Sequence, residues 1–265
     1  MLPEGCHLAS LNVNIKKDPV FVTGAASSYS KKVREKAVEF LKRGIDLAAE
    51  LNADRIHCCP LNDGYEYHFQ VDYRRAWDYT VSTFREAAQH NRDMIISMEY
   101  KAFESRVRCI VDTAAKTLLL CQAVGESNMG VTLDVGHSLI AGENPAEALC
   151  LVTASPYPVY VHINDTNGRW DWDLIAGTMG FWNYLEFLFY LKELDYEGWI
   201  SSDMAPMRLD PIEAFARNAE TTNRMIRLVE GLDSKKLFGM MERERTIDIM
   251  KYLEDETWGK AVPIS

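Results

Sequence analysis

Several features that would define other protein classes are missing from this chain. No apolar run approaches the roughly 20 residues that cross a bilayer, and the N-terminal residues MLPEGCHLAS lack the basic and apolar regions of a signal peptide. No phosphate-binding glycine fingerprint opens a strand and helix unit. We therefore expect a cytoplasmic protein without a membrane partner and without a dinucleotide-binding sheet.

Positive charge is also scarce, because 29 Lys and Arg residues face 39 Asp and Glu residues, for a net charge of -10. Such a surface repels phosphate backbones, so we do not expect nucleic acid as a partner. The cysteines lack the spacing of metal ligands, and we interpret all of them as reduced core residues. They are Cys6, Cys58, Cys59, Cys109, Cys121 and Cys150.

The chain does contain a regular alternation of short apolar runs and amphipathic helical patterns. The apolar runs are HLASLNVN, DRIHCCP, DMIISMEYK, MGVTLDVGH, PVYVHIND and GWISSD. One helix is predicted to run through Val107 and Leu118, and another to begin at Pro145 with Asn144 as its N-cap. Apolar strands separated by helices predict a parallel sheet covered by helices, an α/β fold of the (β/α)8 TIM barrel kind.

The number of units departs from that of a closed barrel. Six strand and helix units fit between about residue 6 and residue 230, whereas a closed barrel needs eight. Either the first two units are missing from this chain or the ring is completed differently. We predict barrel strands 3 to 8 in residues 1–231 and a helical extension in residues 232–265. An open barrel exposes apolar edges that a partner subunit could cover, which predicts a homo-oligomer.

Ionisable side chains stand where four successive predicted strands end, and the loop RWDWD adds two carboxylates. These residues are Glu99 and Lys101, Asp134 and His137, His162 and Asp165, Asp203, and Asp171 with Asp173. In barrel enzymes this end of the strands carries the active site. Carboxylates gathered there repel one another unless a cation lies among them. We predict one divalent ion, or two that share Asp134, of the manganese, cobalt, magnesium or zinc type.

Simpler interpretations exist for each of these residues taken alone. A single strand-end His or Asp is usually a hydrogen-bonded surface residue. Lys101 could be solvated, and Asp171 with Asp173 could simply turn a loop. The series of strand ends favours a metal site over these interpretations. We assign no chemistry to His57, which lies inside a predicted buried strand.

The spacing of these residues resembles the xylose isomerase-like superfamily, and most closely its two-metal sugar isomerases of the xylose isomerase and L-rhamnose isomerase type. The motifs that carry the resemblance are EYK at 99–101, LDVGH at 133–137, HIND at 162–165, DWD at 171–173, and Asp203. The resemblance covers about residues 7–230. It implies one metal held by Glu99, Asp134, His162 and Asp203, and a second held by Asp134, His137, Asp171 and Asp173.

The resemblance further implies that a sugar is the substrate and that aldose and ketose interconvert by a metal-assisted hydride shift. Lys101 would stabilise charge on the carbonyl oxygen, and Glu99 would act through the metal. A keto-sugar 3-epimerase is one alternative, although those enzymes end the last strand with Glu where this chain has Asp203. The others are a C-glycoside-cleaving subunit and a non-catalytic chain that completes a partner's barrel, since an early-strand histidine of the family has no counterpart here.

Overall fold

The computed structural model describes residues 5–104 and 106–259. Its strands are β1 (Leu11–Asn12), β2 (Arg55–Cys58), β3 (Gly64–Tyr65), β4 (Ile95–Glu99), β5 (Phe103–Glu104), β6 (Val107–Cys109), β7 (Met129–Asp134), β8 (Val159–Ile163) and β9 (Ile200–Ser202). Its α-helices are α1 (Lys31–Glu50), α2 (Tyr73–His90), α3 (Ala114–Val124), α4 (Val135–Ile140), α5 (Pro145–Thr153), α6 (Phe181–Glu193), α7 (Pro211–Glu230), α8 (Ser234–Glu242) and α9 (Thr246–Glu254). Short helical turns occupy Pro19–Phe21 and Asp255–Gly259.

A six-stranded sheet with the order β1-β2-β4-β7-β8-β9 forms the centre of the fold. Every pair is parallel, and helices connect most neighbouring strands. Glu99 lies opposite Thr132, while Asp134 lies opposite His162. All strands therefore end at the same edge, and the predicted barrel-type sheet with six strands in this chain is confirmed.

Burial of apolar side chains on both faces of the sheet explains why the strands read as continuous apolar runs. All six residues of β7 are buried, and α1 covers the sheet with a face that includes Leu41, Ile45 and Ala48. Each fully buried large aliphatic side chain contributes about 1.5 to 3 kcal/mol. The predicted start of α5 is confirmed, because Pro145 is its first residue and the Asn144 side chain accepts from the Ala146 N–H.

The segment between β4 and α3 corrects the prediction of a helix through Val107 and Leu118. The helix begins only at Ala114, and the preceding residues form an antiparallel sheet with the order β3-β6-β5. Gly64 allows this pairing, because a Cβ there would lie 2.1 Å from the carbonyl oxygen of Arg108. Apolar spacing over so short a run fits both kinds of structure. The backbone pairing with Gly64 decides in favour of the strand.

Side chains connect the two edges of the central sheet at the N-terminal end of its strands. Within the described residues, β1 and β9 do not pair. Trp199, just before β9, donates its Nε1–H to Asp54 Oδ2 at 2.8 Å, and His7 Nε2 lies 2.7 Å from Asp54 Oδ1. The His7 ring also stacks on Trp199 at 5.7 Å. The sheet is therefore curled until its first and last strands approach one another.

The C-terminal helices pack against the barrel helices. Phe238 of α8 contacts Phe189 of α6 with ring centroids 5.6 Å apart, and the Tyr252 hydroxyl of α9 accepts from the Asp233 N–H at 2.8 Å. Helices are thus present where the sequence predicts them, while the division at residue 231 stays a prediction. None of the described helices is long and apolar enough to cross a bilayer. Residues 260–265 of the predicted extension lie outside the described residues.

The cysteines are all unpaired, as the sequence predicts. Cys58, Cys109 and Cys121 are buried, and burial raises the pKa of Cys121 to about 12. The interpretation as a core residue is wrong for Cys6, which is exposed and lies before β1, outside the central sheet. Cys59 and Cys150 are only partly buried.

The contact at the sheet edges predicts a pH-dependent loss of stability in Asp54→Asn. Burial raises the pKa of Asp54, but hydrogen bonds from His7 and Trp199 outweigh it, so the pKa is lowered. The stabilisation is therefore complete above the ordinary carboxyl pKa of about 3.9 and is lost as the pH falls through the folded-state value. We expect urea unfolding at pH 7 to show a loss of about 1 kcal/mol that shrinks below about pH 4. Asp78→Asn, at an exposed position of α2, should change stability little at either pH, and equal losses in the two variants would contradict the role of Asp54.

Candidate metal centre

Four predicted ligands meet at the C-terminal edge of the sheet. Glu99 ends β4, Asp134 ends β7, His162 lies in β8 and Asp203 follows β9. One ligand atom from each lies within 4.8 Å of the others. His162 Nδ1 is 3.2 Å from Glu99 Oε1 and 3.4 Å from Asp203 Oδ2. Glu99, Asp134 and His162 are buried, whereas the Asp203 side chain is 48% exposed, so the group opens toward solvent on one side.

Two imidazoles lie closest to the carboxylates of this group, because His162 Nδ1 and His137 Nδ1 both approach Glu99 Oε1. Burial raises the pKa of Glu99, but His162, His137 and His57 outweigh it and lower the pKa to about 2. Burial, together with Glu99 and Asp203, raises the pKa of Asp134 to about 7. Burial lowers the pKa of His162, yet Glu99 and Asp203 raise it well above its ordinary value. A divalent ion would supply the same positive charge and leave the imidazole nitrogen free to coordinate, so these donors fit a metal ion.

Backbone and amide groups hold the Asp134 carboxylate in one orientation. Asp134 is the N-cap of α4, and its Oδ1 accepts from the His137 N–H at 2.8 Å. Its Oδ2 accepts from Asn164 Nδ2 at 2.9 Å, while Asn164 Oδ1 accepts from the Gly136 N–H at 2.8 Å. Gly136 permits this approach, because a Cβ would lie 2.5 Å from Asn164 Oδ1. Groups that fix a ligand in this way favour one coordination geometry.

A buried row of alternating charge leads from Lys101 to this group. Lys101 Nζ contacts Glu104 and lies 2.6 Å from Asp171 Oδ2. His137 Nε2 lies 3.4 Å from the same Asp171 oxygen, and His137 Nδ1 lies 3.4 Å from Glu99 Oε1. Burial lowers the pKa of His137, but Asp134 and Asp171 raise it to about 10. Lys101 and Glu99 therefore belong to one charged network, although β4 itself ends at Glu99.

The second predicted metal set is less closely gathered. Asp171 is already paired with Lys101 and His137, and these two cations lower its pKa although burial raises it. Burial, followed by Asp171, Asp203 and Asp134, raises the pKa of Asp173 to about 7. Among the described residues, only the first set brings its donor atoms within 4.8 Å of one another. A second metal bound by these residues stays a prediction.

Asp165, the remaining strand-end carboxylate, holds a loop. Its Oδ2 accepts from the Met179 N–H at 2.7 Å and the Gly180 N–H at 3.0 Å, and Oδ1 accepts from the Thr166 N–H. Asp165 is therefore directed away from the metal set and fixes the chain that leads into α6.

His57 is a residue of this site that the sequence interpretation missed. Its Nε2 lies 4.0 Å from Glu99 Oε2, and its ring meets the His162 ring edge to face at 5.0 Å. The parallel register pairs His57 with Ser97, two residues before Glu99, so His57 and Glu99 share one face of the sheet. The available signal was a polar residue in a buried strand next to β4. The face of the sheet toward which this side chain points, however, depends on the register.

Comparison with known families agrees with this arrangement. Residues 10–227 match the family described as xylose isomerase-like TIM barrel. The chain belongs to that family. An uncharacterized protein of Methanocaldococcus jannaschii is 29% identical over 184 residues, which cover 69% of this chain and 61% of that protein. This xylose isomerase-like chain spans about three fifths of the length of that curated relative.

Solved structures share the fold. A D-tagatose 3-epimerase-like protein superposes with a TM-score of 0.68 and 21% identity, covering 85% of this chain and 91% of its own. An L-ribulose 3-epimerase superposes with a TM-score of 0.69 and 17% identity, covering 83% of this chain and 75% of its own. A xylose isomerase domain protein from Alicyclobacillus acidocaldarius superposes with a TM-score of 0.62 and 20% identity, covering 86% of this chain and 80% of its own. At these identities the likeness establishes the fold alone.

The geometry predicts that His162→Gln and Asp203→Asn weaken manganese binding at least about tenfold, since each removes a donor from the set. Calorimetric titration of metal-stripped protein with Mn²⁺ measures the affinity, and a rise in Tm with added metal gives an independent readout. Asp93→Asn is the control, because Asp93 is an exposed carboxylate in the turn before β4, the strand that ends at Glu99. Unchanged affinity in both ligand variants would show that the ion binds elsewhere.

Proposed function

We propose that the chain is a divalent-metal-dependent sugar isomerase that interconverts an aldose and a ketose. The observation that supports it is the Lys101, Asp171 and His137 row beside the four-donor set. Family membership supports a sugar substrate, because solved structures with this fold are named as an L-ribulose 3-epimerase and a xylose isomerase domain protein. The metal type, a homo-oligomeric assembly and a cytoplasmic location stay predictions.

A bound divalent ion would act as a Lewis acid toward a carbonyl oxygen and orient neighbouring hydroxyl groups. The Lys101 ammonium would stabilise negative charge that develops on the sugar carbonyl oxygen. Its ion pairs with Asp171 and Glu104 hold the side chain in place before substrate binds. The contact between His137 and Asp171 provides groups that can take up and return a proton exchanged between two substrate oxygens.

The pairing of two carboxylates favours isomerisation by hydride shift over proton abstraction from carbon. Glu99 belongs to the four-donor set, and Asp171 is neutralised by Lys101 and His137. A carboxylate that is bound to a metal ion or paired with two cations is a weak base toward an α-proton. Asp203 is one carbon shorter than a glutamate and so reaches less far over a bound sugar.

A keto-sugar 3-epimerase is the second candidate. Solved structures with this fold include an L-ribulose 3-epimerase and a D-psicose 3-epimerase with TM-scores of 0.69 and 0.58. Glu99 and Asp203 are the two carboxylates that would exchange the proton in such a reaction. Among the residues that the structure describes, β1 and β9 each have one edge without a partner strand. These edges support a further alternative, in which the chain is a C-glycoside-cleaving subunit or a non-catalytic chain that completes a partner's barrel.

Solvent isotope exchange distinguishes isomerase from epimerase. Protein loaded with Mn²⁺ or Co²⁺ is incubated in D₂O with a panel of aldoses and ketoses, and the products are examined by NMR. A hydride shift carries the substrate hydrogen directly between C1 and C2, so the product should contain no carbon-bound deuterium. Deuterium at C3 of a product ketose would establish the epimerase instead. Failure to convert any sugar would contradict both enzyme proposals.

Substitution of Lys101 tests its electrostatic role. We expect Lys101→Met to lower kcat at least about 100-fold, as the loss of one preorganised oxyanion donor does, while manganese affinity changes less than about threefold. Lys16→Met is the matched control, because Lys16 Nζ contacts the same Glu104 carboxylate at 2.6 Å. An equal loss in both variants would assign the effect to the Glu104 ion pairs and not to the substrate.

A further inference from the structure

The His57 imidazole is fixed on one side and open on the other. Its Nδ1 lies 2.9 Å from the Ser10 Oγ, and its ring contacts the Tyr160 ring at 6.1 Å. The Tyr160 hydroxyl lies 2.6 Å from Ser201 Oγ, so that ring is held as well. Only 8% of the His57 surface is exposed. Its orientation is therefore set by neighbours that leave Nε2 directed toward Glu99.

His57 Nε2 has no hydrogen-bond partner among residues 5–104 and 106–259. Its distance of 4.0 Å from Glu99 Oε2 is too long for a direct hydrogen bond. One oxygen atom placed between them could contact both groups at about 2.8 Å. His57 Nε2 retains some solvent access, so an oxygen atom of a ligand can enter this gap and complete the hydrogen bonding of His57.

The chemistry of the gap selects a hydroxyl group. Ser10 can either donate to Nδ1 or accept from it, so Nε2 is a donor in one tautomer and an acceptor in the other. A hydroxyl both donates and accepts, and it can therefore bind either tautomer of His57 while it donates to the Glu99 carboxylate. A second carboxylate in the same gap would instead repel Glu99.

We propose that His57 Nε2 binds a hydroxyl group of a polyhydroxylated ligand at the edge of the metal centre, beside Glu99. This inference rests on the proposed function and adds to it a substrate-binding residue on β2, the strand next to β4 in the sheet. Lys101 pairs with Asp171, whereas His57 faces Glu99. The two side chains would therefore contact different parts of the bound molecule. His57 contributes to binding and leaves the metal set intact.

Two substitutions separate ligand binding from packing. The His57→Asn amide retains a polar atom near the Nδ1 position, which contacts Ser10, and has nothing at the Nε2 position. The His57→Gln amide reaches the Nε2 position and gives up the contact with Ser10. A purely structural role of His57 is retained better by Asn, whereas a ligand-binding role is retained better by Gln.

Calorimetric titration of the manganese-loaded protein with linear pentitols and hexitols tests the proposal without turnover. We expect His57→Asn to weaken polyol binding about tenfold and His57→Gln to retain it within about threefold. Manganese affinity should change less than about twofold in both variants. The control is His90→Asn, at the surface end of α2 beside Asp46, which should match the wild type. Equal polyol affinity of wild type and His57→Asn would overturn the proposal, as would a tenfold loss of manganese affinity in either variant.

The outcomes also distinguish this inference from the proposed function. Wild-type protein that binds polyols and isomerises a sugar, with both properties unchanged in His57→Asn, overturns only the role of His57. Polyol binding that depends on His57 in a protein that converts no sugar supports the binding role and overturns the isomerase. Metal-loaded protein that binds no polyol of the panel overturns the role of His57, and it overturns the isomerase as well only if it converts no sugar.

Discussion

Mutual repulsion among buried carboxylates is the constraint that governs the rest of this site. Glu99, Asp134 and Asp203 contribute atoms to a group only 4.8 Å across, and two of these residues are buried. Placing such charges together in a low-dielectric interior costs several kcal/mol per uncompensated ion. The chain compensates with His137 and His162, whose imidazoles contact Glu99, and with Lys101, which neutralises the neighbouring Asp171. A divalent ion satisfies the same requirement with fewer protons, which is why the arrangement suits metal binding.

The parallel sheet brings these carboxylates together, and the same arrangement lets them form one site. All its strands end at one edge, so one residue per strand is enough to assemble the site, and the helices that follow supply N-termini and loops there. Asp134 shows how local structure serves the centre, because its carboxylate caps α4 through the His137 N–H while it stands among the candidate donors. This hydrogen bond therefore fixes the backbone of His137 relative to the Asp134 carboxylate, with which the His137 imidazole interacts electrostatically.

Three strand ends were predictable from the sequence because a buried parallel strand is a continuous apolar run, which Glu99, Asp134 and His162 each interrupt. Asp203 instead follows the short, partly buried strand Ile200–Ser202. The direction of His57 was not predictable, since it depends on pairing with Ser97 in a neighbouring strand. The helix wrongly predicted from Val107 failed for a related reason, because pairing with Gly64 lies outside its own segment. A residue's role can be predicted from the sequence when it depends only on the residue's own segment. A role that depends on the register between strands can be assigned only once the fold is known.

Asp171 explains how Lys101 can follow Glu99 by only two residues without pairing with it. A lysine held directly against Glu99 would neutralise the candidate ligand and compete with a metal ion. Instead Lys101 pairs with Asp171 and Glu104, and burial opposed by these two carboxylates leaves its pKa raised, so the ammonium stays charged. Asp171 separates this charge from Glu99 through His137. The network therefore keeps one cation available for a developing oxyanion while the four-donor set remains free to bind a metal.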